Sequence, residues 1–152
     1  MSNLEYKRRS ICPISFTLDA FGDKWTLLIL RDIMFYNRTR FSDFAPHEKI
    51  ATNILADRLN KLETMGMISK ERDPNLKNQF FYQATPAGQS LLPLLIEMTL
   101  WGLEHDPESL ASKEFLERAQ NEKTKITREI SRAVKRADFA AYRSTKMGIH
   151  PK

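Results

Sequence analysis

A single cysteine, Cys12, stands in 152 residues. It cannot form an internal disulfide, so the fold must be held by packing, as is usual in a reducing compartment. Five glycines are too few and too scattered to build a phosphate cradle. No P-loop, Gly-x-Ser-x-Gly, HExxH or CxxC spacing occurs. The three histidines, His47, His105 and His150, share no ligand spacing. The most apolar run, WTLLILRDIMF (Trp25–Phe35), is shorter than the roughly 20 residues a membrane helix needs, and charge interrupts it. No apolar segment follows Lys7, Arg8 and Arg9, so no secretory signal is expected. These absences point away from an enzyme, a membrane protein or a disulfide scaffold. A cytoplasmic protein without metal or cofactor is the expectation.

Charge of one sign is also scarce where it would matter most. The chain carries a net charge of +5 and a pI near 9.4, which suggests an anionic partner. Yet between Pro13 and Glu108 there are 10 Lys/Arg against 13 Asp/Glu, a net of −3. The excess lies at the two ends: Lys7, Arg8 and Arg9 in front, and nine Lys/Arg against five Asp/Glu from Lys113 to Arg143. The chain divides accordingly into a basic arm (1–12), a central domain (13–106) and a C-terminal helical extension (107–152). Any basic surface on the central domain has to be local.

Periodicity gives the elements of that domain. Pro13 to Phe21 reads as a short helix closed by Gly22. Lys24 to Phe35 is a helix apolar around most of its circumference, hence central to the core. YNRTR (36–40) has turn chemistry, and Ser42 is placed to cap a short helix near Asp43 to Pro46. A further helix runs from Ala51 to Met65, stopped by Gly66. Met67–Arg72 and Gln79–Ala84 alternate as strands around DPNLKN, with Phe80 and Tyr82 on one face and Phe81 on the other. Thr85 caps a helix that begins with Pro86, and an apolar helix restarted at Pro93 continues to Leu103. In the extension, Ser112 to Tyr142, Phe115, Ala119, Ile126, Ile130, Val134, Ala137 and Ala141 follow a helical period. The fold expected is mainly α with a small β-hairpin, a winged helix-turn-helix.

The helix after the turn carries the functional signal. Leu55, Leu59 and Leu62 recur on one face, while Thr52, Asn53, Ala56, Asp57 and Asn60 occupy the other. The second helix of a helix-turn-helix lies in the major groove with its first residues at the base edges. Asn53 suits adenine, Thr52 several bases or a thymine methyl, and Asp57 the amino group of cytosine. Ala56 lets the backbone approach. Arg38, Arg40, Lys49, Lys61 and Lys77 flank this helix and are candidates for phosphate contacts that fix register. A polar face that merely meets water remains open as the alternative. Glu48, Asp57 and Glu63 would repel phosphates, and Asp73 is expected to cancel part of the charge at the hairpin tip. Arg58, beside the leucine stripe, is read as a structural ion-pair partner.

Taken in order, CPISFTLDAFGDKWTLLILRDIMF, RTRFSDF, the helix ending in GMI, FFYQATPAG and LLPLLIEMTLWG resemble the HxlR family of bacterial winged-helix regulators from about Cys12 to Gly102. The resemblance implies a homodimer built by the N-terminal and last helices, bound to inverted-repeat promoter DNA. Ala51 stands where the family usually has Ser or Thr, a missing cap worth roughly 1 kcal/mol. Gln79 and Phe81 replace charged residues of the family's wing, which puts the wing's contact with DNA in question. Cys12 matches a cysteine that several such regulators use to sense oxidants or electrophiles. It is also simply a small residue at a helix start. Phe16, Phe21, Met98 and Trp101 are candidates for a dimer core or an effector pocket. The resemblance stops before the extension, for which three readings compete: packing on a partner subunit, the first choice, a second contact with DNA phosphates, or a helix that binds another partner. A winged-helix module that binds protein instead of DNA is the competing function, favoured by the acidic residues near the reading helix and by Phe81 if it is exposed.

Overall fold

The computed structural model describes residues 9–76, 78–108, 117–118 and 120–136, with the backbone alone for 45–48, 127, 130 and 133–136. Helix α1 (Pro13–Phe21) starts on a proline whose missing N–H costs nothing at that position. Gly22 ends it in an ordinary right-handed conformation. Its glycine is needed for closeness instead, since a Cβ there would stand 2.3 Å from the Leu18 carbonyl oxygen. Helix α2 (Thr26–Tyr36) begins two residues later than its apolar pattern suggests. The reason is Asp23, whose carboxylate accepts the backbone N–H groups of Trp25 and Thr26, each at 3.0 Å, and the Thr26 hydroxyl. That cap fixes the helix start. Ile29, Leu30, Ile33 and Met34 place α2 at the centre of the core.

Asn37, in the left-handed region (φ 51°), turns the chain out of α2. The next segment lies along the hairpin: Tyr82 donates its N–H to the Thr39 carbonyl at 2.8 Å. Helix α3 (Phe41–Glu48) follows. Its cap is Asp43, which reaches back to the N–H groups of Arg40 and Thr39, and not Ser42 as the sequence suggested; a carboxylate on the first turn also suits the helix dipole. Phe44 is fully buried, edge-on to Tyr82. Lys49 closes α3 with a positive φ of 53°.

Helix α4 (Thr52–Thr64) buries Leu55, Leu59 and Leu62. At about 1.5–3 kcal/mol for each leucine taken out of water, this stripe decides which way the helix faces. Ala51 holds the cap position with no side-chain cap, as the sequence implied. Gly66, at φ 70°, then turns the chain into β1 (Ile68–Arg72), which pairs antiparallel with β2 (Phe80–Ala84) in the register Ile68 to Ala84 and Arg72 to Phe80. Tyr82 and Ile68 face the core. A two-stranded hairpin alone is marginal; this one is held by α2, α4 and the 37–40 segment.

Thr85 caps α5 (Pro86–Gln89) by accepting the Gly88 N–H at 3.2 Å. Helix α6 (Leu92–His105) carries Pro93 in its first turn and buries Leu92, Leu95, Ile96 and Leu103. The extension contributes α7 (Lys123–Arg136). Its Ile126 is buried with this subunit's own core, and Lys123 pairs with Glu97 of α6 at 2.6 Å. These contacts lie within the one chain and anchor the start of α7 on α6. Phe115, Ala119, Ala137 and Ala141, and the side chains of Ile130 and Val134, lie outside the described residues. No described helix is long and apolar enough to cross a membrane.

At Gly88 a Cβ would stand 2.1 Å from the Met67 carbonyl oxygen. Because that obstacle is backbone at the foot of the hairpin, Gly88→Ala is expected to lower stability by about 1–3 kcal/mol. Urea unfolding followed by circular dichroism reads it as a lower midpoint at unchanged slope. An unchanged midpoint would mean that α5 moves aside freely.

Candidate nucleic-acid interface

Burial of the leucine stripe turns the other side of α4 to solvent. Thr52, Asn53, Ala56, Asp57 and Asn60 are all exposed there, so the structure gathers the five candidate base readers on one open face. Four have short side chains or a methyl alone, and the fifth, Asp57, is held at 2.7 Å by Nη1 of Arg58. Ile54, on the flank, is half-buried against the core.

Arg58 behaves as the structural partner expected of it. Its Nε lies 3.1 Å from Asp23 Oδ1, though the N–H is not aimed at that oxygen, so the contact is ionic and not a hydrogen bond. Lys61 approaches the other Asp23 oxygen at 3.7 Å. Asp23 therefore does two things: it caps α2 and it ties α4 to that cap. Partial burial pushes its carboxyl up, but the hydrogen bonds from Thr26 and the Trp25 and Thr26 amides, with the charge of Arg58, outweigh burial and hold it below its ordinary 3.8. Sequence reading missed Asp23; a D-K-W-T string at a helix start was the available signal, since Asp three residues before Thr26 is a capping spacing.

The candidate phosphate contacts fare differently from one another. Lys49 is exposed just before α4. Lys61 is half-buried and shared with Asp23. Arg38 is committed to the interior, its Nη1 on Asp32 Oδ2 at 2.8 Å. Asp32 is itself buried and takes Arg31 on its other oxygen at 2.7 Å, and both guanidinium groups lie over the Tyr36 ring. A buried carboxylate left without such partners would cost several kcal/mol, so Arg38 is not at the disposal of DNA. Arg40 is engaged with Asp73, Gln79 and Phe81. Lys77 lies outside the described residues. Asp73 is not a tip charge, as the sequence suggested, but a buried residue at the base of the loop.

Of the residues assigned to a dimer core or pocket, Phe21 fills this chain's own core and is not available to a partner. The other three are at the surface: Phe16 on α1 and, on α6, Met98 (49% exposed) and Trp101 (65%). Ile14 and Leu18 on α1 and Leu94 on α6 extend these bare apolar edges. His105 stacks on Trp101 at 4.3 Å between ring centroids. Cys12 is exposed at the cap of α1. Arg9, upstream, is not aimed at the thiol; it pairs with Asp19 at 2.9 Å. Among the described residues no cluster could hold a metal ion.

Comparison with known proteins agrees with this geometry. The model of HxlR-like helix-turn-helix domains matches residues 20–110. The HTH-type transcriptional regulator YybR of Bacillus subtilis, itself uncharacterised, is 30% identical over 102 residues, covering 64% of this chain and 78% of its own. A solved structure from Porphyromonas gingivalis, assigned to the MarR family of regulators, is 30% identical at a TM-score of 0.58, over 64% of this chain and 96% of its own. The redox regulator HypR in its oxidised form is 28% identical at 0.56, over 62% and 97%.

Because the folded-state pKa of Asp23 is depressed, its contribution to stability is complete above 3.8 and is lost as pH falls through the folded-state value. Asp23→Asn keeps an acceptor for the cap but loses the charge. It should be less stable than the parent at pH 6, with the gap closing in acid below 3.8. Denaturant melts at stepped pH measure this, and a gap independent of pH would show that the charge of Asp23 does not matter.

Proposed function

The chain belongs to the HxlR-like helix-turn-helix family and is a transcriptional regulator of that type; on this premise we propose that it binds operator DNA sequence-specifically as a homodimer and represses by occupying a promoter. The observation that carries the proposal is the outer face of α4. Its leucine face is fixed in the core, and the opposite side offers Thr52, Asn53, Ala56, Asp57 and Asn60 without a long side chain to hold the helix out of a groove. Asn53, at the second position of α4, is the principal base reader, paired to adenine. Lys49 and Lys61 supply phosphate contacts, the second in exchange for its weak link to Asp23.

Two-fold symmetry gives the site its form. The bare edges of α1 (Ile14, Leu18) and α6 (Leu94, Met98, Trp101) are the natural surface for a second copy, since exposed apolar side chains grouped in this way mark an association surface. Two α4 helices about 34 Å apart then require an inverted repeat. The regulator works in the cytoplasm on double-stranded DNA. Cys12 is the candidate effector site: its thiol is open to an oxidant or electrophile, and the similar protein HypR is a redox regulator. The protein-binding alternative is left with only the acidic residues near α4, because Phe81 is half-buried under the Arg40 guanidinium.

Fluorescence anisotropy with a duplex from upstream of the protein's own gene, beside a scrambled duplex at several salt concentrations, tests the reading. Preference for the native duplex with affinity falling steeply in salt is expected; equal weak binding to both would count against it. Asn53→Ala should lose about 1–3 kcal/mol, mainly at one base pair, while Lys49→Ala should weaken every sequence alike. Trp101→Glu should turn a dimer into a monomer by light scattering and lose operator binding with it. A Trp101→Glu protein that stays dimeric would move the interface elsewhere.

A further inference from the structure

Arg40 stands at the start of α3, yet its side chain belongs to the hairpin. Nη2 donates to Asp73 Oδ2 at 2.8 Å, Nη1 to the side-chain oxygen of Gln79, and the guanidinium lies 4.6 Å from the centre of the Phe81 ring. These partners come from both ends of the 73–79 loop and from β2. Asp73 is the keystone of that loop. Its other oxygen accepts the N–H groups of Asn75 and Leu76 at 2.8 and 3.2 Å, and its own N–H is bonded to the Gln79 carbonyl. The carboxylate is only 2% exposed, although it sits in a thin hairpin with few protein layers around it. The backbone N–H of Asn75 first of all, then the bonds from Arg40 and Leu76, outweigh burial and hold the Asp73 carboxyl below its ordinary value. At the other end of the lever, the backbone N–H of Arg40 is fixed by Asp43 at 2.8 Å.

We propose that Arg40 is a positioning residue, not a phosphate contact: through Asp73, Gln79 and Phe81 it ties the wing loop to the first turn of α3 and so sets where the wing tip stands relative to the reading face of α4. The planar fork of arginine is required, because one side chain must bond two acceptors and lie on an aromatic ring at once. A lysine supplies the charge but not the fork. Gln79 and Phe81, uncharged where charge was expected, are the partners such a strut needs. The consequence for operator binding rests on the DNA-binding reading above; the strut itself does not.

Four variants separate a strut from a phosphate contact: Arg40→Ala, Arg40→Lys, Asp73→Asn and the double Arg40→Ala/Asp73→Asn. Asparagine at 73 keeps an acceptor for the Asn75 and Leu76 amides, so the loop can close while the ion pair is lost. Hydrogen exchange of the Asn75 and Leu76 amides is read first, without DNA. The strut requires about tenfold faster exchange in Arg40→Ala and Arg40→Lys alike, with the thermal midpoint of the core reporting that both remain folded. Exchange at the parent rate would overturn it, even if the parent itself bound no duplex and the DNA-binding reading failed. On the operator, the strut predicts that Arg40→Lys, Asp73→Asn and the double variant all lose affinity about as much as Arg40→Ala, roughly tenfold, with the parent's salt slope. A direct phosphate contact predicts the reverse: near-parent affinity for Arg40→Lys and Asp73→Asn, and a salt slope reduced by about 0.9 in Arg40→Ala.

Discussion

Leu55, Leu59 and Leu62 packed against α2 are the contact on which the remainder leans. A helix that buries one face this completely has no freedom to turn about its own axis. Each residue step is about 100° of rotation, so slipping the stripe by a single position would carry Asn53 toward the protein and a leucine toward water. The polar face need not be held in place by interactions of its own. It is presented outward as the geometric complement of the core, and Asp23 at the neighbouring helix start pins the same helix from its side through Arg58 and Lys61.

The electrostatics follow a second logic. A central domain with more acidic than basic residues would be a poor ligand for a polyanion if its carboxylates were uncompensated near the contact face. Several of the acids are answered internally, Asp32 by Arg31 and Arg38, Asp73 by Arg40, Asp57 by Arg58, while Glu63 stays exposed on α4. Buried or half-buried pairs of this kind contribute little net stability. Their effect is to fix directions, of the turn, of the hairpin and of the reading helix. Much of the basic charge near the interface thus acts as scaffolding, and the contact with a nucleic acid is left to short polar side chains and a few lysines.

Much of this was legible in the sequence. The helix and strand limits were set by local chemistry that residue types announce: Pro13, Gly22, Gly66, Thr85 and Pro86, with the alternation of Phe80, Phe81 and Tyr82. The leucine spacing placed the five residues of the open face together, and Arg58 beside the stripe was rightly a structural cation. What the residues could not announce was which partner each charge would find. Arg38 and Arg40 sit two apart in a turn, and nothing local distinguishes an arginine aimed at Asp32 from one aimed at Asp73, 33 positions away in sequence. Asp73 looked like a tip charge because burial in a hairpin depends on what crosses over it. That Phe21 and Ile126 are buried in this chain's own core was not legible for the same reason, since a helical period gives a face but not its neighbour.

The bond from Tyr82 to Thr39 bears on how the chain reaches this structure. The hairpin closes over a short loop, an event of microseconds, but two strands alone are scarcely stable in water. The outer side of β2 is bonded to Thr39, which precedes it by a whole helix-turn-helix. The wing therefore cannot mature as a local unit. Contacts between residues so far apart in sequence are the kind that slow folding. A strand edge left unpaired is also a place where one chain can add to another, and the bond to Thr39 covers part of the outer edge of β2. The segment that orients the wing is also the one that lies against the outer side of β2.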